Sequence, residues 1–169
     1  ERGSPYYEAA SRGKLFTACN QSAVTWGTAL TATAVTFTLS NTLGSGVNLA
    51  IISCGVTMIT SSTAGSLVYA ANVSPNAAAV IHGTPLTVRG ALLGTTGNLG
   101  LADGACTLPA APVAIRTLCS GFTTNANMTV RDYPDGSIVV APGCAVTIQG
   151  ITIVGTGLVD MVWEEISIS

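Results

Sequence analysis

Charge is almost missing from this chain. Six cations and eight carboxylates are spread over 169 residues, or 8%, where a soluble domain ordinarily carries about 25%. That scarcity constrains the fold directly. A solvent-facing helix needs a polar face, commonly laced by i, i+4 pairs of opposite charge, and no stretch after residue 14 offers one. A sheet can instead present Thr and Ser outward. The chain is rich in Thr, Val and Ile, with 19 glycines available for turns. Hydrophobic residues reach 48% and the mean hydropathy is +0.55. Yet Gly, Ser, Thr or Pro interrupts every apolar run before the ~18 residues that a membrane-spanning helix needs. So little charge repels neighbouring molecules weakly, which predicts a subunit that lives inside an assembly. The cations are scattered, so nucleic-acid binding by phosphate neutralisation is not expected.

Residues 1–14 hold five charges plus Tyr6 and Tyr7 without a periodic pattern. They read as an extended or loosely helical arm that lies against a neighbouring subunit. Residues 15–169 read as a single β-sandwich domain. The run Ala34-Val35-Thr36-Phe37-Thr38-Leu39 alternates apolar residues with Thr, the period of a half-buried strand. Asn41–Gly46 is a turn with two glycines. In Val47–Thr60 the neighbours Ile51 and Ile52 break the alternation, and Gly55 is a candidate bulge. Ser66–Val73 reads as the returning strand of a hairpin. Residues 74–104 are punctuated by Gly and Pro and read as loops, with one short strand near Leu86–Ala91 and a role as a contact surface. Further strands are expected at Pro112–Cys119, Thr129–Arg131, Ser137–Ala141, Cys144–Gly150 and Leu158–Ile168. Asp132–Gly136 and Pro142-Gly143 supply turns between them. The pattern predicts an all-β fold, an antiparallel β-sandwich that is jelly-roll-like, with an extended N-terminal arm.

Chemistry-bearing residues are few. The single histidine, His82, lies in a turn-like context and reads as a surface or interface residue; no Gly-x-Ser-x-Gly elbow accompanies it. One histidine is too few for a cupin-type metal site. Glu164 and Glu165 are strand neighbours, so their side chains point to opposite faces and cannot form a glycosidase pair. They read as solvated rim charges. Asp132 and Asp135 flank a turn and read as local caps, and Asp160 should share a face with Val162. Calcium at the Asp132–Asp135 turn lacks the spacing of a known loop. Cys19, Cys54, Cys106, Cys119 and Cys144 sit among apolar or small residues and read as buried free thiols, with any disulfide pairing left open. Trp26 and Trp163 read as core or interface anchors. No catalytic, cofactor-binding or metal-binding residue is assigned.

Three stretches carry a family resemblance: Gly3–Gly13 with the following Leu15-Phe16-Thr17-Ala18, Asn41–Leu49, and Pro142-Gly143 with the ending Met161–Ile166. Together they resemble structural proteins of tailed-bacteriophage virions. The resemblance implies a non-enzymatic component of the virion, located at the capsid surface. Its expected role is that of a decoration (cement) protein that binds and stabilises the head. The implied partners are the major capsid protein and further copies of the chain, as a homotrimer. The alternative is a tail or fibre module for host-receptor binding. The arm, through Tyr6, Tyr7 and Arg12, is the candidate capsid contact.

Overall fold

A computed structural model describes residues 4–34, 36–61, 63–73, 80–121 and 128–168. One short helix, α1 (Pro5–Ser11), precedes β1 (Leu15–Cys19), β2 (Val24–Trp26), β3 (Thr33–Ala34), β4 (Phe37–Asn41) and β5 (Val47–Ser61). There follow β6 (Gly65–Asn72), β7 (Ile81–Pro85), β8 (Arg89–Gly90), β9 (Gly100–Thr107) and β10 (Val113–Gly121). The chain ends in β11 (Met128–Asp132), β12 (Val139–Val140), β13 (Ala145–Ile151) and β14 (Gly155–Ser167).

The strands form two antiparallel sheets, one ordered β11-β5-β14-β1-β8 and the other β10-β6-β13-β4-β9-β3. Eight principal strands, β1, β4, β5, β6, β10, β11, β13 and β14, can be counted one to eight along the chain. The first sheet then reads 1-8-3-6 and the second 2-7-4-5. This is the double Greek key of a jelly roll, the expected fold class. Its connectivity corrects one local expectation. β6 does not return beside β5; it crosses to the opposite sheet and pairs with β10 and β13.

Alternation drives the core. Along β14 the residues from Gly155 to Glu165 alternate buried and half-buried, which turns Val159, Met161 and Trp163 inward. From the other sheet Phe37, Leu39, Leu67, Tyr69, Val146 and Ile148 join the same cluster. Asp160 and Val162 share the outer face, as expected.

The broken alternation in β5 has a structural outcome. Val162 pairs with Ser53 and Trp163 with Ile51, so Ile52 is the extra residue of a bulge. It turns outward to join Ala9 and Leu15 in a satellite cluster that Tyr6, Ala10 and Val162 complete. Gly55 is not the bulge. It pairs with Arg131 on one side and Asp160 on the other, and a Cβ there would fall 2.3 Å from the Asp160 carboxylate. The bare backbone leaves room for the Arg131–Asp160 ion pair, 2.8 Å, to span it.

The same satellite cluster decides the form of the arm, which is helical rather than extended. Residues 1–3 lie outside the described residues, but Pro5–Ser11 are helical and rest on the chain's own first sheet. Pro5 suits the first turn, Ala9 and Ala10 favour helix, and Glu8 pairs with Arg12 one turn on. Tyr6 and Ala9, three apart, provide the apolar stripe that docks it.

β10 lies at the edge of the second sheet, and its residues 113–117 are all exposed. Its ladder with β6 is broken by register shifts at Ala114/Arg116 and Thr117/Cys119.

Candidate functional site

Between residues 80 and 109 the chain departs from the regular sandwich. β9 extends the second sheet beyond β4, and β7 pairs on β9 with slips around Thr84. Residues 74–79 of the expected loop region lie outside the described residues. β9 itself was not foreseen, because Gly100-Leu101-Ala102-Asp103-Gly104-Ala105 has few β-formers. Its first glycine is required by contact. A Cβ at Gly100 would come 2.9 Å from the Trp163 indole nitrogen and 3.0 Å from Leu49.

This region brings His82 onto a carboxylate. His82 Nδ1 lies 2.6 Å from Asp103 Oδ2, with the histidine side chain 35% exposed and the aspartate side chain fully buried. The hydrogen bond uses Nδ1 and leaves the other ring nitrogen, Nε2, outside it. The other Asp103 oxygen, Oδ1, is buried without a hydrogen-bond partner among the described residues. His82 lines a pocket of about 330 Å³ with Pro85, Leu86, Val88, Asn98, Leu101 and Ala102. Its wall is fixed by backbone and side-chain bonds. Leu86 N–H donates to Ala102 O at 2.8 Å, and the Asn98 amide donates to Gly100 O at 2.8 Å.

A second buried carboxylate braces the same wall. Glu165 Oε1 accepts the N–H groups of Leu99 and Gly100, both at 2.8 Å, and the Trp163 indole N–H at 3.5 Å. Glu165 is 3% exposed, which corrects its reading as a solvated rim charge. The alternation that puts Trp163 inward puts Glu165 inward too. Asp103 and Glu165 are the buried carboxylates among the described residues, and both serve this one region.

Other acidic residues take other roles. Asp132 does not cap its turn; it accepts from the Tyr69 hydroxyl at 3.0 Å and from Arg116 at 3.0 Å. The turn is instead closed by Gly136 N–H to Ile51 O and Ser137 N–H to Pro134 O, with Asp135 and Gly136 at positive φ. No group of three or more metal-ligating side chains occurs among the described residues. All five cysteines are free. Burial pushes the thiols of Cys19, Cys54 and Cys106 up, and that of Cys119 up to about 11.

The three residues expected to touch a capsid do not act alike. Tyr6 packs into the satellite cluster, Tyr7 is 71% exposed, and Arg12 is engaged with Glu8. Across the described residues the surface carries little unpaired charge. Ion pairs occupy Arg12, Arg116 and Arg131, leaving Lys14 and Arg89 as the cations outside one among the described residues. Large apolar side chains stand exposed instead, notably Leu92, Leu93, Ile81, Val113, Ile115 and Val139.

No protein-family model, curated protein or solved structure matches the chain.

Proposed function

We propose that this chain is a non-enzymatic structural subunit of a virion, a decoration protein that binds the outer face of a bacteriophage head and stabilises it as a homotrimer. The observation that carries the reading is the surface. A jelly roll whose exterior is nearly uncharged and studded with exposed Leu, Ile and Val is poorly suited to life as a dispersed monomer. Covering that surface with copies of the chain and with a shell protein removes apolar area from water. A subunit that binds only the assembled shell then stabilises it by mass action. Tyr7 is the residue of the N-terminal segment best placed for the shell contact, because Tyr6 and Arg12 are engaged within the chain.

The test is the amount of this chain in gradient-purified particles, scaled by quantitative mass spectrometry to the major shell protein. A ratio near or somewhat below one supports decoration, and absence from particles overturns it. A ratio of a few hundredths favours the second reading, a tail or fibre module that binds a host receptor. The pocket beside His82 favours that reading, since a purely cementing surface has no use for a braced cavity.

A further inference from the structure

We propose that the pocket beside His82 is a binding site for a small, largely apolar, uncharged molecule that carries a hydroxyl group, such as a phenol or an alicyclic alcohol. The inference is independent of whether the chain decorates a capsid.

Placing a carboxylate out of water is costly unless its hydrogen-bonding capacity is met. This chain does so twice among its described residues, with Asp103 and Glu165. Neither carboxylate sits opposite a Lys or Arg in an ion pair. Asp103 holds the His82 ring; Glu165 holds the backbone at Leu99 and Gly100, between the pocket residues Asn98 and Leu101. Elsewhere in the sandwich the buried side chains that hold backbone, such as Asn20, Asn41 and Gln149, are uncharged amides. Two buried carboxylates holding residues around one cavity is the arrangement of a preorganised site, where the geometry is set before the ligand arrives.

The chemistry of the walls selects the ligand. Pro85, Leu86, Val88, Leu101 and Ala102 offer aliphatic contact, and the volume of about 330 Å³ lies at the small end of ligand pockets. The His82 ring contributes the directional group. Nδ1 is engaged with Asp103, so Nε2 is the ring nitrogen left for a ligand. A hydroxyl both donates and accepts, so it can pair with that nitrogen in either tautomer and is compatible with an otherwise apolar body. An anionic ligand is disfavoured because the mostly aliphatic lining holds no Lys or Arg to offset the loss of its water.

The test is titration of the full chain with phenol and cyclohexanol, followed by amide chemical shifts and calorimetry, with benzoate as the anionic control. Saturable binding is expected, with shifts centred on Leu86, Val88, Leu101 and Ala102. His82→Ala should weaken it tenfold or more, and Leu101→Trp, a change at an exposed rim position, should block it. His82→Gln, which keeps an acceptor, should retain part of the affinity and guards against a merely structural loss. The proposal is overturned by no saturable binding to the wild-type chain. It is equally overturned by shifts centred elsewhere, by undiminished binding in folded His82→Ala, or by benzoate binding more tightly than phenol.

Discussion

The middle of the sandwich and the 80–109 excursion use charge in opposite ways. Around β5 and β14 the ion pairs lie on the outside. Arg131 and Asp160 are 39% and 29% exposed, and the interior beneath them is apolar. In the excursion a carboxylate goes inside and the leucines come out: Asp103 is buried, and Glu165 turns inward from the end of β14 to hold Leu99 and Gly100, while Leu92 and Leu93 stand 54% and 83% exposed. The contrast teaches where each region gets its shape. The centre is shaped by burial of large side chains, which needs no direction. The excursion is shaped by hydrogen bonds to two carboxylates, which fix particular atoms in particular places.

Four measurements would break or sharpen this contrast. The largest effect belongs to the centre. Phe37 is fully buried, so Phe37→Ala should cost about 3–5 kcal/mol, whereas Ile81→Ala on exposed β7 should cost well under ~1 kcal/mol. Similar losses in urea unfolding would erase the distinction between the regions. Next comes Glu165→Ala, which strands two backbone N–H groups and should cost about 2–3 kcal/mol. Glu165→Gln should cost less, because an amide oxygen can accept both. Hydrogen exchange should quicken at Leu99 and Gly100 in the alanine variant, and unchanged protection there would remove Glu165 from its bracing role.

A third effect is gated by pH. Burial raises the Cys119 thiol from 9.0 to about 11, so between those values the folded chain holds a proton that the unfolded chain has lost. Stability is therefore full below pH 9 and declines as pH rises through 11, with Cys19, Cys54 and Cys106 shifted in the same direction. The urea midpoint should fall monotonically across this range and less steeply in Cys119→Ala; a flat profile would contradict it. Smallest is Arg131→Met, which removes a half-exposed ion pair and should change stability by about 1 kcal/mol or less. A double-mutant cycle with Asp160→Asn measures the coupling, and a value of several kcal/mol would make the outer face as demanding as the excursion.

The same division governs what could be read from the sequence. β14 is legible because its alternation is uninterrupted; in β5 the break at Ile51-Ile52 is visible in the sequence, but the bulge read at Gly55 lies at Ile52. The jelly-roll class followed from strand spacing. The crossing of β6 to the far sheet did not, since Ser66–Val73 looks the same in a hairpin or a crossover. In the candidate site, His82 was visible only as a lone histidine. Asp103 and the brace by Glu165 come from strands and loops brought together by register, with 21 residues separating His82 from Asp103 and 66 separating Leu99 from Glu165. Glu165 alone left a usable trace. It shares the parity of Trp163, so a buried tryptophan at one position foretells a buried carboxylate two residues later.

The kinked ladder of β10 has a consequence for how copies of this chain can meet. An exposed edge strand is an invitation to backbone pairing, and proteins usually refuse it with a lysine pointed along the edge. This chain has one lysine, Lys14, and it is elsewhere. Arg116 and the two register shifts serve here instead: a charge and an irregular ladder on the edge that carries Val113 and Ile115 make it a poor template for a second straight strand. Main-chain pairing along this edge is thereby disfavoured, and with it one route by which a nearly neutral chain with exposed apolar side chains would polymerise into fibrils.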